Sequence, residues 1–167
     1  GAPTFANGPQ PHSGSRVAGT ILGGNYVNNN GASLFSPIFT VPLSSDFPRL
    51  RYWDWHDTDP QDSGAVQISV NGGGWRDLGE SSSGDFGRKW SQRIVDLRAF
   101  GGQSVRIRFL FYARNGSPAA GWYIDDVSIE TGAMVFNNSE GFENGFGDWS
   151  VDHTVWEIGA PTFATVG

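Results

Sequence analysis

Turn-forming residues interrupt this chain so often that no helix of ordinary length fits between them. Glycine holds 24 of its 167 positions and proline 9, and each disfavours a helix interior, by about 1 kcal/mol for glycine and about 3 for proline. Between the breaks lie short runs in which apolar and polar residues alternate, the period of a strand with one buried face. The clearest spans residues 103–112, where Val105, Ile107, Phe109 and Phe111 alternate with Ser104, Arg106, Arg108 and Leu110. Its arginines are expected on a solvated face. Residues 65–70 place Val66, Ile68 and Val70 opposite Gln67 and Ser69, and Asn71-Gly72-Gly73-Gly74 then turns the chain so that residues 75–78 pair back as a hairpin. Further strands are expected at 17–22, at 33–41 with a break near Pro37, at 49–57, and at 89–97, where a short helix is the weaker reading. This spacing predicts an all-β chain, a two-sheet antiparallel sandwich rather than a parallel α/β sheet.

Composition narrows the chemistry. The 7 Trp, 12 Phe and 4 Tyr predict an aromatic-rich core. A net charge of -6 with only 11 Lys plus Arg argues against a nucleic-acid surface. The absence of cysteine excludes disulfides, thiol catalysis and cysteine-ligated zinc. No run approaches the roughly 20 apolar residues of a membrane-spanning helix. His12, His56 and His153 are scattered, and no HExxH, phosphate loop or nucleophile elbow occurs, so no catalytic residue is assigned and the chain is not expected to be an enzyme.

The run Gly121-Trp122-Tyr123-Ile124-Asp125-Asp126-Val127-Ser128-Ile129 reads as a buried strand carrying two adjacent carboxylates. Regular alternation puts Tyr123, Asp125, Val127 and Ile129 on one face, so Asp125 is expected to look inward and to need a partner. A metal ion, hydrogen bonds, or Arg106 or Arg108 would each serve.

A second feature is a duplication. Gly1-Ala2-Pro3-Thr4-Phe5-Ala6 recurs as Gly159-Ala160-Pro161-Thr162-Phe163-Ala164, at an offset of 158 residues. Six consecutive identities read as an internal period. On this expectation residues 1–130 form the body, 131–141 a connector, and 142–167 a strand segment equivalent to the start of the next copy.

The elements GWYIDDVSI, FENGFGDWSVD with WEIGAPTF, AVQISVNGGGW and QSVRIRFLF together resemble the bacterial jelly-roll modules related to MAM domains, which are appended to secreted proteins such as immune-inhibitor-A-like metallopeptidases. The order is permuted, because the FENGFGDW-like element comes first in that family and last here. The resemblance implies a two-sheet jelly roll with a non-catalytic structural or adhesive role outside the cell. It also implies a structural calcium ion, with Asp125, Asp126, Glu143 and Asp62 at the matching acidic positions.

Residues 142–167 are then expected to complete the sandwich, either on their own chain or in the next copy. Phe142, Phe146, Trp149, Val151, Trp156 and Ile158 would be the apolar side of that assembly, and the product a fibre or repetitive surface protein built from identical copies. Two alternatives stand beside it. One is a carbohydrate-binding module with Trp53 and Trp55 as a platform for polysaccharide; the other is an accessory domain of a secreted metallopeptidase.

Overall fold

The computed structural model describes residues 1, 2, 4, 6–79, 88–151 and 156–161. In chain order, the nine strands among the described residues are β1 (Ala18–Gly19), β2 (Asn30–Phe35), β3 (Phe39–Thr40), β4 (Arg49–Asp57), β5 (Ser63–Val70), β6 (Trp75–Asp77), β7 (Ser91–Asp96), β8 (Ser104–Ala113) and β9 (Gly121–Glu130). Two single turns of 3-10 helix, Ser44–Asp46 and Arg98–Phe100, are the only helical pieces among the described residues. The hairpin across residues 71–74 forms as the sequence predicts, with Gln67 facing Asp77 and Ser69 facing Trp75. The Ser- and Gly-rich stretch at residues 79–87 reads as a loop in the sequence, and beyond Gly79 it falls outside the described residues up to residue 87.

All pairings are antiparallel. One sheet, here sheet A, has the order β1-β9-β4-β7; sheet B has the order β2-β8-β5-β6, with β3 also on β8. Strands β2 and β3 pair with successive stretches of β8 and are split around Pro37, so they act as one interrupted strand. Counted that way, eight strands form two four-stranded sheets and switch sheet at every connection except the β5–β6 hairpin, which is the double Greek key of a jelly roll. All eight end by Glu130, so the tail supplies none of them. The strand expected beyond residue 142 does not form among the described residues, and the segment docks chiefly through side chains.

The core between the sheets is built from Leu50, Tyr52, Val66, Ile68, Val105, Ile107, Phe109, Phe111, Trp122 and Ile124. Tyr52 meets Phe109 edge to face at 5.2 Å, and Phe109 meets Trp122 in the same way at 5.8 Å. Gly64 is required where Trp122 crosses β5, because a Cβ there would stand 2.9 Å from the indole. The outer face of sheet A is buried too. Val17, Trp55, Ala120 and Tyr123 form a second cluster there, with Trp90 and Leu22 packed against it.

Strand β9 departs from regular alternation. Its register on β4 slips between Arg51 and Trp53, leaving Asp126 and Val127 together opposite Tyr52, and Asp126 adopts φ 47°. This β-bulge reverses the sidedness of the later residues of the strand. Trp122 and Ile124 face the core, whereas Asp125 pairs with Trp53 on the outer face and Ile129 returns to the inner side opposite Leu50. Asp125 therefore does not look into the core.

Ile68 is fully buried at the middle of sheet B. Ile68→Ala should cost about 2–5 kcal/mol through lost transfer energy and a residual cavity. Urea unfolding followed by near-ultraviolet circular dichroism measures this as a lower midpoint at unchanged slope.

Candidate functional site

Strand β4 positions most of the polar chemistry, since its two faces carry different sets. On the core side Asp54 and His56 lie almost wholly buried, with His56 Nε2 2.8 Å from Asp54 Oδ2. Arg93 of β7 donates from Nε to Asp54 Oδ1 at 3.0 Å. Burial works to raise the Asp54 pKa, but His56 and then Arg93 outweigh it and hold the carboxyl below its ordinary range. His56 also stacks on Trp122, with ring centroids 5.2 Å apart. The group is enclosed and paired, a structural cluster rather than an open site.

On the outer side the segment at residues 10–13 crosses the sheet. The His12 ring stacks on Trp53 at 3.7 Å, and Trp90 Nε1 donates to the Gln10 carbonyl at 2.9 Å. Asp125 accepts the His12 amide at 2.9 Å, while Asp126 takes the Ser13 hydroxyl at 2.5 Å and lies 2.6 Å from His12 Nδ1. Partial burial pushes the Asp126 pKa up, but Ser13 and His12 hold it below the usual carboxylate range. The partners of the tandem carboxylates are thus residues 12 and 13. Arg106 and Arg108 belong to sheet B, where they reach the Ser36 carbonyl and Gln67 instead.

Asp62 lies elsewhere, beside the loop after β8. It is fully buried and accepts the Tyr26 hydroxyl and, at 2.6 Å, the Arg114 amide. Burial pushes the Tyr26 pKa up to about 12, with Asp62 adding in the same direction against the Asp59 amide. Glu143 is exposed in the tail. Asp125, Asp126, Glu143 and Asp62 therefore do not converge on one donor set, and no group of three or more metal-ligating side chains occurs among the described residues. The calcium-binding quartet implied by the family resemblance does not fit this arrangement.

The tail docks on sheet A through side chains. Asp148 Oδ1 accepts Arg51 Nη2 at 2.6 Å and Arg49 Nη2 at 3.3 Å, and its other oxygen takes the Val135 amide at 2.7 Å. Gln92 on edge strand β7 donates to the carbonyls of Gly147 at 3.0 Å and Trp149 at 2.7 Å. Val151 is buried; its amide donates to the Gln92 carbonyl at 3.1 Å, and its carbonyl accepts Arg93 Nη1 at 2.9 Å. Phe146 closes edge to face on Trp53 at 5.6 Å. One backbone bond and an ion-pair clamp thus replace the expected ladder.

The remaining tail side chains form a cleft of about 560 Å³ lined by Phe142, Phe146, Trp149, Val151, Trp156 and Ile158. Trp149 is 39% exposed and Trp156 69%. Trp149 also touches Phe136 and Phe142, at 5.6 and 5.4 Å between centroids. All six residues expected from sequence to act in assembly are gathered here. The expected platform of Trp53 and Trp55 is not available, because Trp55 is buried on Tyr123 and Trp53 is covered by His12 and Phe146. The sequence alone does not single out Asp148 for docking; its one visible signal is an acid between the tail's aromatic residues, with arginines on the strand that carries Trp53.

The chain is thus a jelly-roll module with no assembled catalytic constellation among its described residues. No family model matches it. Over 136 residues it is 32% identical to bacillopeptidase F of Bacillus subtilis (strain 168), a match that covers 78% of this chain and 9% of that protein. The chain therefore spans about a tenth of its relative's length. Among solved structures it aligns with TmCBM61 in complex with β-1,4-galactotriose at a TM-score of 0.46 and 17% identity, over 72% of this chain and 74% of that one.

Although partial burial opposes it, the Val135 amide and then Arg51 and Arg49 hold the Asp148 pKa below its ordinary value. A depressed carboxyl stabilises docking fully above the undocked pKa, about 3.9, and loses that contribution as pH falls through the docked value. The emission of Trp149, isolated by subtraction of a Trp149→Phe variant, should hold steady from pH 7 to about 4 and shift below it. In Asp148→Asn the shifted emission should already be present at pH 7.

Proposed function

We propose that this chain is a non-catalytic module of a larger extracellular polypeptide, and that it works as one unit of an array or fibre of identical copies joined head to tail. The observation that carries the reading is how the first copy of the duplicated segment is held. The Val17 amide donates to the Gly1 carbonyl at 3.0 Å and the Thr4 amide to the Leu22 carbonyl at 2.8 Å, so Gly1 and Thr4 lie on the flanks of edge strand β1. The second copy begins at Gly159 with the same residues, and Gly159, Ala160 and Pro161 are exposed. On this reading the second copy, from Gly159 on, takes on the next unit the place that Gly1 and Thr4 hold here. Each unit's tail first covers its own β7 edge and then reaches the β1 edge of its neighbour. Eight residues from Val151 to Gly159 span at most about 29 Å, enough for adjoining units. Because the two edges differ, the contact is heterologous and propagates. The match to a short part of a much longer peptidase supports a role within a larger polypeptide, and an accessory domain beside a peptidase would be one setting for it.

A second reading has its own observation, the exposed indoles of Trp149 and Trp156 in the tail cleft. Such faces stack on sugar rings, and retention on insoluble polysaccharide that falls in Trp156→Ala would favour this reading.

The array is tested by loosening the first copy. Thr4→Pro removes the amide that bonds Leu22 while leaving every strand intact. This variant should self-associate with rising concentration in sedimentation velocity, and an excess of the peptide Gly-Ala-Pro-Thr-Phe-Ala should reverse it. A folded variant that stays monomeric and ignores the peptide would overturn the proposal.

A further inference from the structure

Charge is distributed unevenly over this acidic chain. Arg49, Arg51, Arg88, Lys89, Arg93 and Arg98 each meet a carboxylate. Arg106, Arg108 and Arg114, along or just beyond β8, meet none among the described residues; each lies over an aromatic ring instead. The guanidinium of Arg106 stands 4.6 Å from the Phe35 centroid, that of Arg108 4.4 Å from Trp75, and that of Arg114 5.9 Å from Tyr112. Arg106 gives its Nε proton to the Ser36 carbonyl at 3.0 Å, and Arg108 gives its own to Gln67 at 2.8 Å. These bonds fix the planes and leave the outer nitrogens of both forks for another partner. Asp77, opposite Gln67 on β6, accepts Gln67 Nε2 at 2.7 Å.

We infer that the outer face of sheet B is a binding surface for an acidic polysaccharide, whose carboxylates the outward nitrogens of Arg106, Arg108 and Arg114 receive along β8. Three features point to that partner. From Arg106 to the end of β8 at Ala113, with Arg114 next in the chain, the strand makes a stripe about 24 Å long, with Arg106 and Arg108 about 7 Å apart, which suits a repeating anion better than a single small one. The backbone donors of β8 are consumed by β2, β3 and β5, so a peptide cannot join this face as an added strand and every contact must come from side chains. Rigid sugar rings also arrive with their carboxylates already spaced, whereas an acidic peptide would have to lose chain entropy to match the stripe. Tyr112 and Phe35, half-exposed beside the arginines, offer ring surface for the sugar's C–H edges. The chain as a whole carries a net charge of -6, so its positive face is the one suited to anions.

The probe is polygalacturonate, compared with neutral galactan, polyglutamate and double-stranded DNA by affinity electrophoresis and calorimetry of the intact chain. Polygalacturonate should bind and the others should bind at least tenfold more weakly. Binding should weaken as salt is raised from 50 to 500 mM, since screening shortens the reach of surface charge. Arg106→Gln with Arg108→Gln should lose at least tenfold in affinity with an unchanged melting temperature, and Arg108→Lys should lose less. Absence of binding, equal binding by the double variant, or equal binding of polyglutamate, DNA or galactan would each overturn the inference.

Discussion

Strand β4 is covered on both faces, and that double burial governs the rest of the molecule. A strand between two neighbours, with a core beneath and further chain above, has no solvent for its charged groups, so each must be matched within the fold. Asp54 is matched by His56 and Arg93 on the inner side, and Arg49 and Arg51 by Asp148 and Glu130 on the outer side. Trp53 is covered by His12, and Trp55 is buried edge to face beside its cross-strand partner Tyr123. The segment at residues 10–13 and the tail at 146–151 are therefore held where β4 needs them.

Much of the fold was legible because period-2 alternation is a local property. Val66, Ile68, Val105, Ile107, Phe109 and Phe111 all point inward as their spacing predicts, and Arg106 and Arg108 point out. Legibility ended where register is set by a neighbouring strand. The bulge at Asp126 has no compositional mark, yet it decides that Asp125 and Ile129 lie on opposite faces, and with that the partners of Asp125 change from core groups to His12 and Ser13. The tail failed for a related reason. Its apolar residues are real packing residues, but a sandwich whose eight strands are complete leaves them the edge and outer face of a sheet, where Asp148 rather than a ladder fixes them. Trp53 and Trp55 share one face of β4, and whether that face is a platform or a packed surface is decided by the residues around them, His12 and Phe146 for Trp53 and Tyr123 for Trp55.

The two sheets divide the labour. Sheet A carries nearly all the ion pairs among the described residues and both segments that cover strand edges, so its outer face is spent on holding the chain together. Sheet B instead sets Arg106 and Arg108 over aromatic rings on its outer face. One side of the molecule thus satisfies itself, while the other presents unspent donors.

Strand edges carry a further consequence for survival in crowded surroundings. A row of unpaired amides and carbonyls templates aggregation, and a sequence this rich in alternating apolar runs would be at particular risk. None of the four edges here is a long, bare ribbon. β2 and β3 are broken around Pro37, β6 is three residues long, β1 is flanked by Gly1 and Thr4, and β7 lies under Gly147 to Val151. Such a molecule tolerates close neighbours without fusing to them at random, a condition for any module that must sit beside many others in one chain.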